Sequence, residues 1–254
     1  MHNRLECTNA NGLKWEGHVN QTETYVLVPG SWHGGWSWQP VANRLRAAGQ
    51  KALTLTLPGL ADGDDPTGYR LQDAVDHIVG EVRRVEDANV VLVAHSWGGY
   101  PVTAAARLLA ERVSKVVYLN ALIPVRGRSL VDDDPPHLRE LNLRLIEESP
   151  TGSIPATLKD VEQAFMQGVA PELQRLVADL LMPQPGRYFT DAIDVDPATL
   201  GVPTAYLASE HDHALHWPAA EFAARLTVEP TVVPGTHNAL LTHPDEIANA
   251  ILAA

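Results

Sequence analysis

The chain has 254 residues, of which 45% are hydrophobic and 20% are charged, and its net charge is −12. This length and composition predict an ordinary globular protein with one large α/β domain and a sizeable core. The acidic balance, without any run rich in lysine or arginine, argues against nucleic acid and anionic membranes as partners. The single cysteine, Cys7, excludes a disulfide framework and a thiolate metal cluster, and we expect it to be a passive thiol.

Targeting and membrane segments are not expected from the sequence. Residues 1–6 lack the apolar core of a signal peptide. No stretch reaches the roughly 18–20 apolar residues that a membrane span requires. We therefore expect a soluble, cytoplasmic protein.

Predicted strands and helices alternate along most of the chain. Short β-branched and apolar runs predict strands at residues 24–28, 51–57, 90–94, 115–120, 204–208 and 231–233. Helical spacing predicts helices at about 40–48, 71–84, 103–109 and 245–252. This alternation predicts a mostly parallel sheet with helices on both faces, joined by right-handed crossovers.

Residues 123–195 interrupt the alternation. They have helical patterns at 138–148, 158–168 and 171–181, and no strand is predicted among them. Because the insertion follows a sheet strand at the edge where ligands bind in such folds, we interpret it as a helical cap or lid. The alternative is a set of helices that only covers one face of the sheet. We thus expect a single domain over 1–254 with a cap at about 123–195.

The segment around Ser96 is the most informative motif. A β-branched run ends at this serine, two glycines follow, and a helix-favouring stretch comes next. This pattern is typical of a nucleophile elbow, in which a strained turn between strand and helix exposes a hydroxyl. Ala94 and Gly98 are small, as expected where strand and helix cross closely. The alternative interpretation is an ordinary turn that happens to contain a serine.

A serine nucleophile needs a base, and the base needs an acid. His237 follows the last predicted strand and so lies at the same sheet edge as Ser96, whereas His243 is close to the start of the last helix. Asp212 lies on the loop after the preceding strand, and Glu210 competes with it for the role of the acid. The sequence therefore predicts a triad of Ser96, Asp212 and His237 in the chain order of α/β-hydrolases.

Two backbone N–H groups are expected to bind the oxyanion. One is that of Trp97, directly after the nucleophile, and the other is that of Ser31, on the glycine-rich loop after the first long strand. Glycines alone could also indicate a phosphate-binding loop. However, the Lys-Ser/Thr of a P-loop is missing, and so is the G-x-G-x-x-G pattern.

Residues 26–38, 94–99 and 235–237 resemble the α/β-hydrolase superfamily. The chain is most similar to the branch that holds plant methylesterases, hydroxynitrile lyases and related bacterial esterases, over about residues 25–252. The resemblance implies an α/β-hydrolase fold with a helical lid.

Three positions depart from the pattern of that branch. Pro29 stands where its members usually have histidine. Its lyases typically have threonine at the position of Gly30 and lysine at that of Asn238. The departure at Pro29 implies that the loop is anchored differently, and those at Gly30 and Asn238 favour esterase over lyase chemistry.

We therefore expect a serine hydrolase that cleaves small, apolar carboxylic esters through an acyl-enzyme, without cofactor or metal. Gly30, Trp32, His33 and Trp217 are the candidate pocket residues, and Trp97 is a further candidate wall. The expected partner is a small-molecule ester, and the sequence leaves open whether the protein forms a homodimer. A non-hydrolytic enzyme (a cyanohydrin lyase or a cofactor-free dioxygenase) and a ligand receptor that retains the triad are the alternatives.

Overall fold

A six-stranded parallel sheet forms the centre of the computed structural model, which describes residues 6–8, 14–16, 22–87 and 89–254. The strands are β1 (Glu6–Thr8), β2 (Lys14–Glu16), β3 (Thr24–Val28), β4 (Lys51–Thr54), β5 (Val90–His95), β6 (Val113–Leu119), β7 (Ser153–Ile154), β8 (Gln184–Pro185), β9 (Thr204–Ser209) and β10 (Pro230–Val233). The prediction that Cys7 is a passive thiol concerns a side chain outside the described part of the structure.

Helices cover both faces of the sheet and build the cap. They are α1 (Gln39–Ala47), α2 (Leu71–Arg84), α3 (Gly99–Leu108), α4 (Leu130–Asp133), α5 (Pro136–Glu148), α6 (Leu158–Asp160), α7 (Pro171–Leu180), α8 (Arg187–Thr190), α9 (Ala219–Arg225), α10 (Ala239–Thr242) and α11 (Pro244–Ala253). None of the helices in the described ranges combines the length and the apolar composition that crossing a bilayer requires.

The order of strands in the sheet is β10-β9-β6-β5-β3-β4, and every neighbouring pair is parallel. β3 and β5 are buried at every position because helices cover both of their faces. Val26 and Val28 pack in the core cluster that includes α2 and α3, whereas Tyr25 and Leu27 pack in the one that includes α1 and α11. The predicted α/β fold with a mostly parallel sheet is confirmed.

Parallel strands place all their carboxyl ends at one edge of the sheet. β3, β5, β6, β9 and β10 therefore each deliver one loop to the same rim. We call residues 29–34 the β3 loop and residues 234–238 the β10 loop. The sheet alone brings parts of the chain more than 200 residues apart into one place.

Several predicted boundaries were wrong. The strand predicted at 51–57 ends at Thr54, after which Thr56 accepts a hydrogen bond from the backbone N–H of Gly35 instead of continuing the ladder. The helix predicted from residue 103 begins at Gly99, because a single 3₁₀ turn, Ser96–Gly98, runs directly into it.

The cap between β6 and β9 contains more than the predicted helices. Ser153–Ile154 and Gln184–Pro185 form a two-stranded antiparallel sheet where no strand was predicted. The helix predicted at 158–168 is α6 followed by one π-helical turn, Val161–Phe165. Such π turns are frequent at functional sites.

Candidate active site

Ser96 lies at the apex of a sharp turn between β5 and α3. Its φ is +52°, in the left-handed region that is costly for a residue other than glycine. Its carbonyl accepts a hydrogen bond from the N–H of Leu122, which ties the turn to the start of the cap. The residue is only partly buried.

The glycine after the elbow makes room for a neighbouring loop. A Cβ at Gly98 would lie 2.6 Å from the carbonyl oxygen of Pro29. The tightest contact at this position is therefore with the β3 loop. The expected crossing of β5 and α3 is not what limits residue size here.

Ser96, His237 and Asp212 form a continuous hydrogen-bonded row. Nε2 of His237 is 2.9 Å from Oγ of Ser96, and Nδ1 is 2.8 Å from Oδ2 of Asp212. The histidine and aspartate side chains are only 4% and 7% exposed, so water competes little for these bonds. The other carboxylate oxygen of Asp212 accepts the backbone N–H groups of Ala214 and Leu215 at 2.8 and 3.2 Å.

The two competing residues lie elsewhere. Glu210 is exposed and faces His211 at 3.6 Å. His243 contacts the hydroxyl of Thr242 and packs beside Gly235. Neither residue takes part in the hydrogen bonds of the Ser96 row.

The β3 loop passes directly over the serine. A Cβ at Gly30 would lie 2.6 Å from Cβ of Ser96 and 3.2 Å from its hydroxyl oxygen. Only glycine fits without moving the loop or the serine, because real Cβ atoms do not approach this closely. Ser31, whose N–H is a candidate oxyanion donor, is the next residue along and is buried.

Two further histidines surround the row and are uncharged at neutral pH. Burial lowers the pKa of His33 to about 4 and holds the pKa of His95 well below its ordinary value. His33 donates from Nδ1 to the carbonyl of Ser31 at 2.7 Å, and its Nε2 accepts from the amide of Asn238 at 3.1 Å. His33 therefore joins the β3 loop to the β10 loop.

The backbone of His237 is held from below by the sheet. Its carbonyl accepts Nε2–H of His95 at 2.9 Å and the side-chain N–H of Asn120 at 3.0 Å. The side-chain oxygen of Asn120 accepts the backbone N–H of Ser209 at 2.7 Å. Asn120 follows β6 directly, is fully buried and has φ +46°, a conformation that asparagine tolerates better than most residues.

The cap holds both loops from above. The carbonyl of Phe165, at the end of the π turn, accepts the hydroxyl of Thr236 at 2.8 Å and the N–H of Asn238 at 3.0 Å. The Phe165 ring lies 5.6 Å from the His237 ring and 5.8 Å from that of Trp32, centroid to centroid. Trp32 also makes three hydrogen bonds to the cap, to Ile154, Met182 and Gln184.

Two predicted pocket tryptophans have well-defined partners in the structure. The ring of Trp97 is fully buried and stacked 4.7 Å from that of Tyr188, so it is part of the core. Trp217 donates to the carbonyl of Asp133 and lines a cavity of about 380 Å³ with Asp212 and Ser209. A separate groove of about 610 Å³ between α2, α3 and residues 191–195 is lined by none of the triad residues.

Sequence reasoning missed five residues of this site, namely His95, Asn120, Phe165, Gln184 and Thr236. Asn120 had a usable signal, since it is a polar residue at the carboxyl end of the strand next to β5. No group of three or more His, Cys, Asp or Glu side chains suited to a metal ion occurs in the described ranges.

Comparisons with known proteins give the family of the chain and agree with its fold. The model of the alpha/beta hydrolase family matches residues 25–250. Methylesterase 18 of Arabidopsis thaliana is 28% identical over 253 residues, which cover 91% of this chain and 96% of the relative. The carbendazim hydrolyzing esterase of Nocardioides sp. (strain SG-4G) is 34% identical over 158 residues, 61% of this chain and 63% of that protein. The chain thus aligns with less than two thirds of the second relative.

Among solved structures, an extracellular alpha/beta-hydrolase from a Paenibacillus species superposes with a TM-score of 0.81. The superposition covers 91% of this chain and 98% of the other, at 19% sequence identity. At that identity the likeness shows the fold alone. Both sequence relatives are named as esterases.

Proposed function

The chain belongs to the alpha/beta hydrolase family, and we propose that it is a serine hydrolase of small, apolar carboxylic esters. The observation that carries the proposal is the row of two hydrogen bonds, 2.9 and 2.8 Å, from Ser96 through His237 to Asp212. Each group in this row has the partner that nucleophilic acyl transfer requires.

In the proposed first half-reaction, Oγ of Ser96 attacks the ester carbonyl while its proton passes to Nε2 of His237. The carbonyl oxygen becomes an oxyanion, which the N–H groups of Ser31 and Trp97 stabilise. The tetrahedral intermediate then collapses. The C–O bond to the alcohol breaks, and the alcohol leaves with the proton from His237, so that an acyl-serine remains.

In the second half-reaction, water attacks the acyl-serine and gives a proton to His237. The acid is released, and Ser96 regains its proton. Asp212 keeps the proton of His237 on Nδ1 and stabilises the imidazolium that forms twice per cycle. Its own second oxygen is held by Ala214 and Leu215, so the carboxylate is fixed while it does so.

The preference for apolar esters is supported by the rings above the site. Trp32 lies 5.8 Å from Phe165 and 6.0 Å from Phe189, and Phe165 also faces His237. Aromatic faces bind apolar groups by burial and offer no favourable partner to an anionic group such as a carboxylate or a phosphate. The net charge of −12 likewise disfavours polyanionic substrates.

The cyanohydrin lyase alternative is less well supported by the site. The lyases that the chain resembles have threonine and lysine at the positions of Gly30 and Asn238. Here a Cβ at Gly30 would overlap Ser96, and Asn238 is fully buried against His33.

The test is covalent labelling combined with turnover. We expect a fluorophosphonate probe to label Ser96, as identified by mass spectrometry of the peptide, and wild type to hydrolyse short p-nitrophenyl esters. Ser96→Ala should abolish both while circular dichroism stays that of the wild type. Absence of labelling, with cleavage of cyanohydrins or oxygen uptake on a quinolone-type substrate, would defeat the proposal in favour of the lyase or the dioxygenase. Tight ligand binding with neither turnover nor labelling would indicate a receptor.

A further inference from the structure

Gln184 is a fully buried side chain of the cap that reaches the loop beside the serine. It lies in β8 between Pro183 and Pro185, and neither proline has a backbone N–H to donate. Its Oε1 accepts the backbone N–H of Trp32 at 2.8 Å. Because the partner is a donor, the orientation of the amide is fixed by this bond.

The backbone that Gln184 holds is strained. Trp32 has φ +65°, a left-handed conformation that is unfavourable for a bulky residue. The backbone of the turn closes through a long hydrogen bond of 3.4 Å from the N–H of His33 to the carbonyl of Gly30. Such a conformation persists only when the surroundings impose it.

Three cap contacts supply that restraint at Trp32. Its carbonyl accepts the N–H of Met182 at 2.9 Å, and its indole N–H donates to the carbonyl of Ile154 at 2.8 Å. The third contact is the bond to Gln184. It is the only one of the three in which the cap contributes a side chain, so a substitution in the cap can remove it without changing the cap backbone.

The Ser31–Trp32 peptide is therefore fixed at both ends. Gln184 binds its N–H, and Nδ1–H of His33 binds its C=O at 2.7 Å. Ser31 is the residue whose own N–H faces the oxyanion in the mechanism above. The peptide before Ser31 and the peptide after it share the Cα of Ser31, so a displacement of the second peptide also shifts the first one, which carries the donor.

We propose that Gln184 is a positioning residue, which aims the oxyanion donor of Ser31 by holding the N–H of Trp32. The inference rests on the proposed function, since it assigns a task to the cap within the same reaction. The cap then acts as a fixed brace of the oxyanion site, and the part of it around β7 and β8 stays on the β3 loop during turnover.

Gln184→Met removes the acceptor and keeps the approximate length of the side chain. A buried N–H without a partner is unfavourable, so the peptide is expected to turn toward another acceptor. Loss of a whole oxyanion donor typically lowers the rate by about 10²–10³-fold. For a donor that is misdirected but still present, we expect kcat to fall about 10–100-fold with KM within about twofold.

A general loss of order would also lower kcat, so the decisive readout is the substrate atom that becomes the oxyanion. An ester is compared with its thionoester, in which sulfur, a weak hydrogen-bond acceptor, replaces the carbonyl oxygen. Wild type should prefer the oxygen ester strongly, because its donors are aimed at oxygen. In Gln184→Met the rate on the ester should fall more than that on the thionoester, so the ratio of the two drops at least about fivefold.

The chain offers a matched control in Gln174. This glutamine is also buried in the cap and makes one hydrogen bond, from its Nε2 to the carbonyl of Met166 at 2.9 Å. Gln174→Met should lower the melting temperature by an amount similar to Gln184→Met and leave the ester-to-thionoester ratio unchanged. Should Gln184→Met not fold, Gln184→Asn, whose shorter amide cannot reach Trp32, takes its place.

If the wild type is active and both Gln184 variants keep its ester-to-thionoester ratio, this inference is overturned and the proposed function stands. An equal fall of the ratio in Gln174→Met also overturns it, because the effect would then belong to cap stability. A wild type that neither labels at Ser96 nor hydrolyses esters overturns the proposed function, and the role of Gln184 falls with it.

Discussion

The two loops that flank Ser96 are fixed to different parts of the molecule. The β10 loop, with His237, is bound by two side chains of the sheet, His95 at the end of β5 and Asn120 after β6, and also by the carbonyl of Phe165 in the cap. The β3 loop, with Gly30 and Trp32, takes its outside support from the cap. Under the proposed function, the histidine that transfers protons is thus held by the sheet as well as by the cap, whereas the outside support of the oxyanion site comes mainly from the cap.

This difference indicates how the cap can vary while the hydrogen-bonded row of Ser96, His237 and Asp212 is kept. A change in the shape of the cap acts on both loops, but it acts on the β3 loop through three hydrogen bonds that all end on Trp32. We expect the hydrogen bond between Ser96 and His237 to be less affected by a change in the shape of the cap. Substitutions on the two sides should therefore give different kinetic signatures, and the following variants test this separation.

The largest effect is expected at the acid of the row. Asp212→Asn keeps the shape of the side chain but removes the charge that stabilises the imidazolium, so kcat should fall about 10³–10⁴-fold. Glu210→Gln, two residues away and exposed, is the control and should stay within twofold of wild type. Steady-state kinetics on a p-nitrophenyl ester measures both. A larger loss in Glu210→Gln than in Asp212→Asn would transfer the role of the acid to Glu210.

The next effect is steric and lies on the β3 loop. Gly30→Ala places a Cβ 2.6 Å from that of Ser96, so loop and serine must separate, and we expect a loss of about 10²-fold in kcat/KM. Gly80→Ala, in the middle of α2 with open space around it, should retain activity and raise the free energy of unfolding by about 0.4–1 kcal/mol. Near-normal kcat/KM in Gly30→Ala would contradict the close approach.

A smaller kinetic effect is expected on the side of the sheet. Asn120→Ala removes the donor to the carbonyl of His237 and the acceptor for the N–H of Ser209, both buried. We expect the free energy of unfolding to fall by about 2–4 kcal/mol, from one or two unsatisfied groups. We expect kcat to fall about tenfold, because the imidazole is less well placed.

The ester-to-thionoester ratio separates Asn120 from Gln184. Asn120 makes no hydrogen bond to the β3 loop, so Asn120→Ala should leave this ratio at the wild-type value while kcat falls. Urea unfolding measures the loss of stability, and the assay on the two substrates measures the ratio. A fall of the ratio in this variant would mean that sheet and cap do not act separately.

The sequence was sufficient for the parts that depend on strand ends. Long β-branched runs marked the strands, and parallel pairing placed Ser96, Asp212 and His237 at one edge without any knowledge of side-chain contacts. The family resemblance agreed with this placement. The predicted α/β class is confirmed, and the roles of the three residues stay a proposal.

The contacts of the cap could not be predicted from strand patterns. β7 and β8 have two residues each, which is too short for any alternation to be visible, and they pair across roughly 30 intervening residues that include α6 and α7. The bond from Gln184 to Trp32 spans 152 positions and depends on how the cap packs on the β3 loop. No local pattern encodes a contact of this kind.

The smallest effect concerns His33, the side chain that joins the two loops. Burial lowers its pKa to about 4 in the folded protein, while the unfolded chain has the ordinary value of 6.5. Between these values the unfolded chain binds a proton that the folded protein does not bind, so the free energy of unfolding falls as the pH falls. One such group contributes a slope of up to about 1.4 kcal/mol per pH unit.

His33→Gln should remove that contribution, so that its stability declines less steeply than that of wild type between pH 6.5 and pH 4.5. Burial also keeps the pKa of His95 low, and the part of the slope that His95 causes is retained in the variant. His213→Gln, at an exposed position, is the matched control and should follow the wild-type curve. Urea unfolding at half-unit pH steps measures all three proteins. Parallel curves for wild type and His33→Gln would mean that His33 is free to take up a proton in the folded protein, and the link between the loops would then be weaker than its hydrogen bonds to Ser31 and Asn238 indicate.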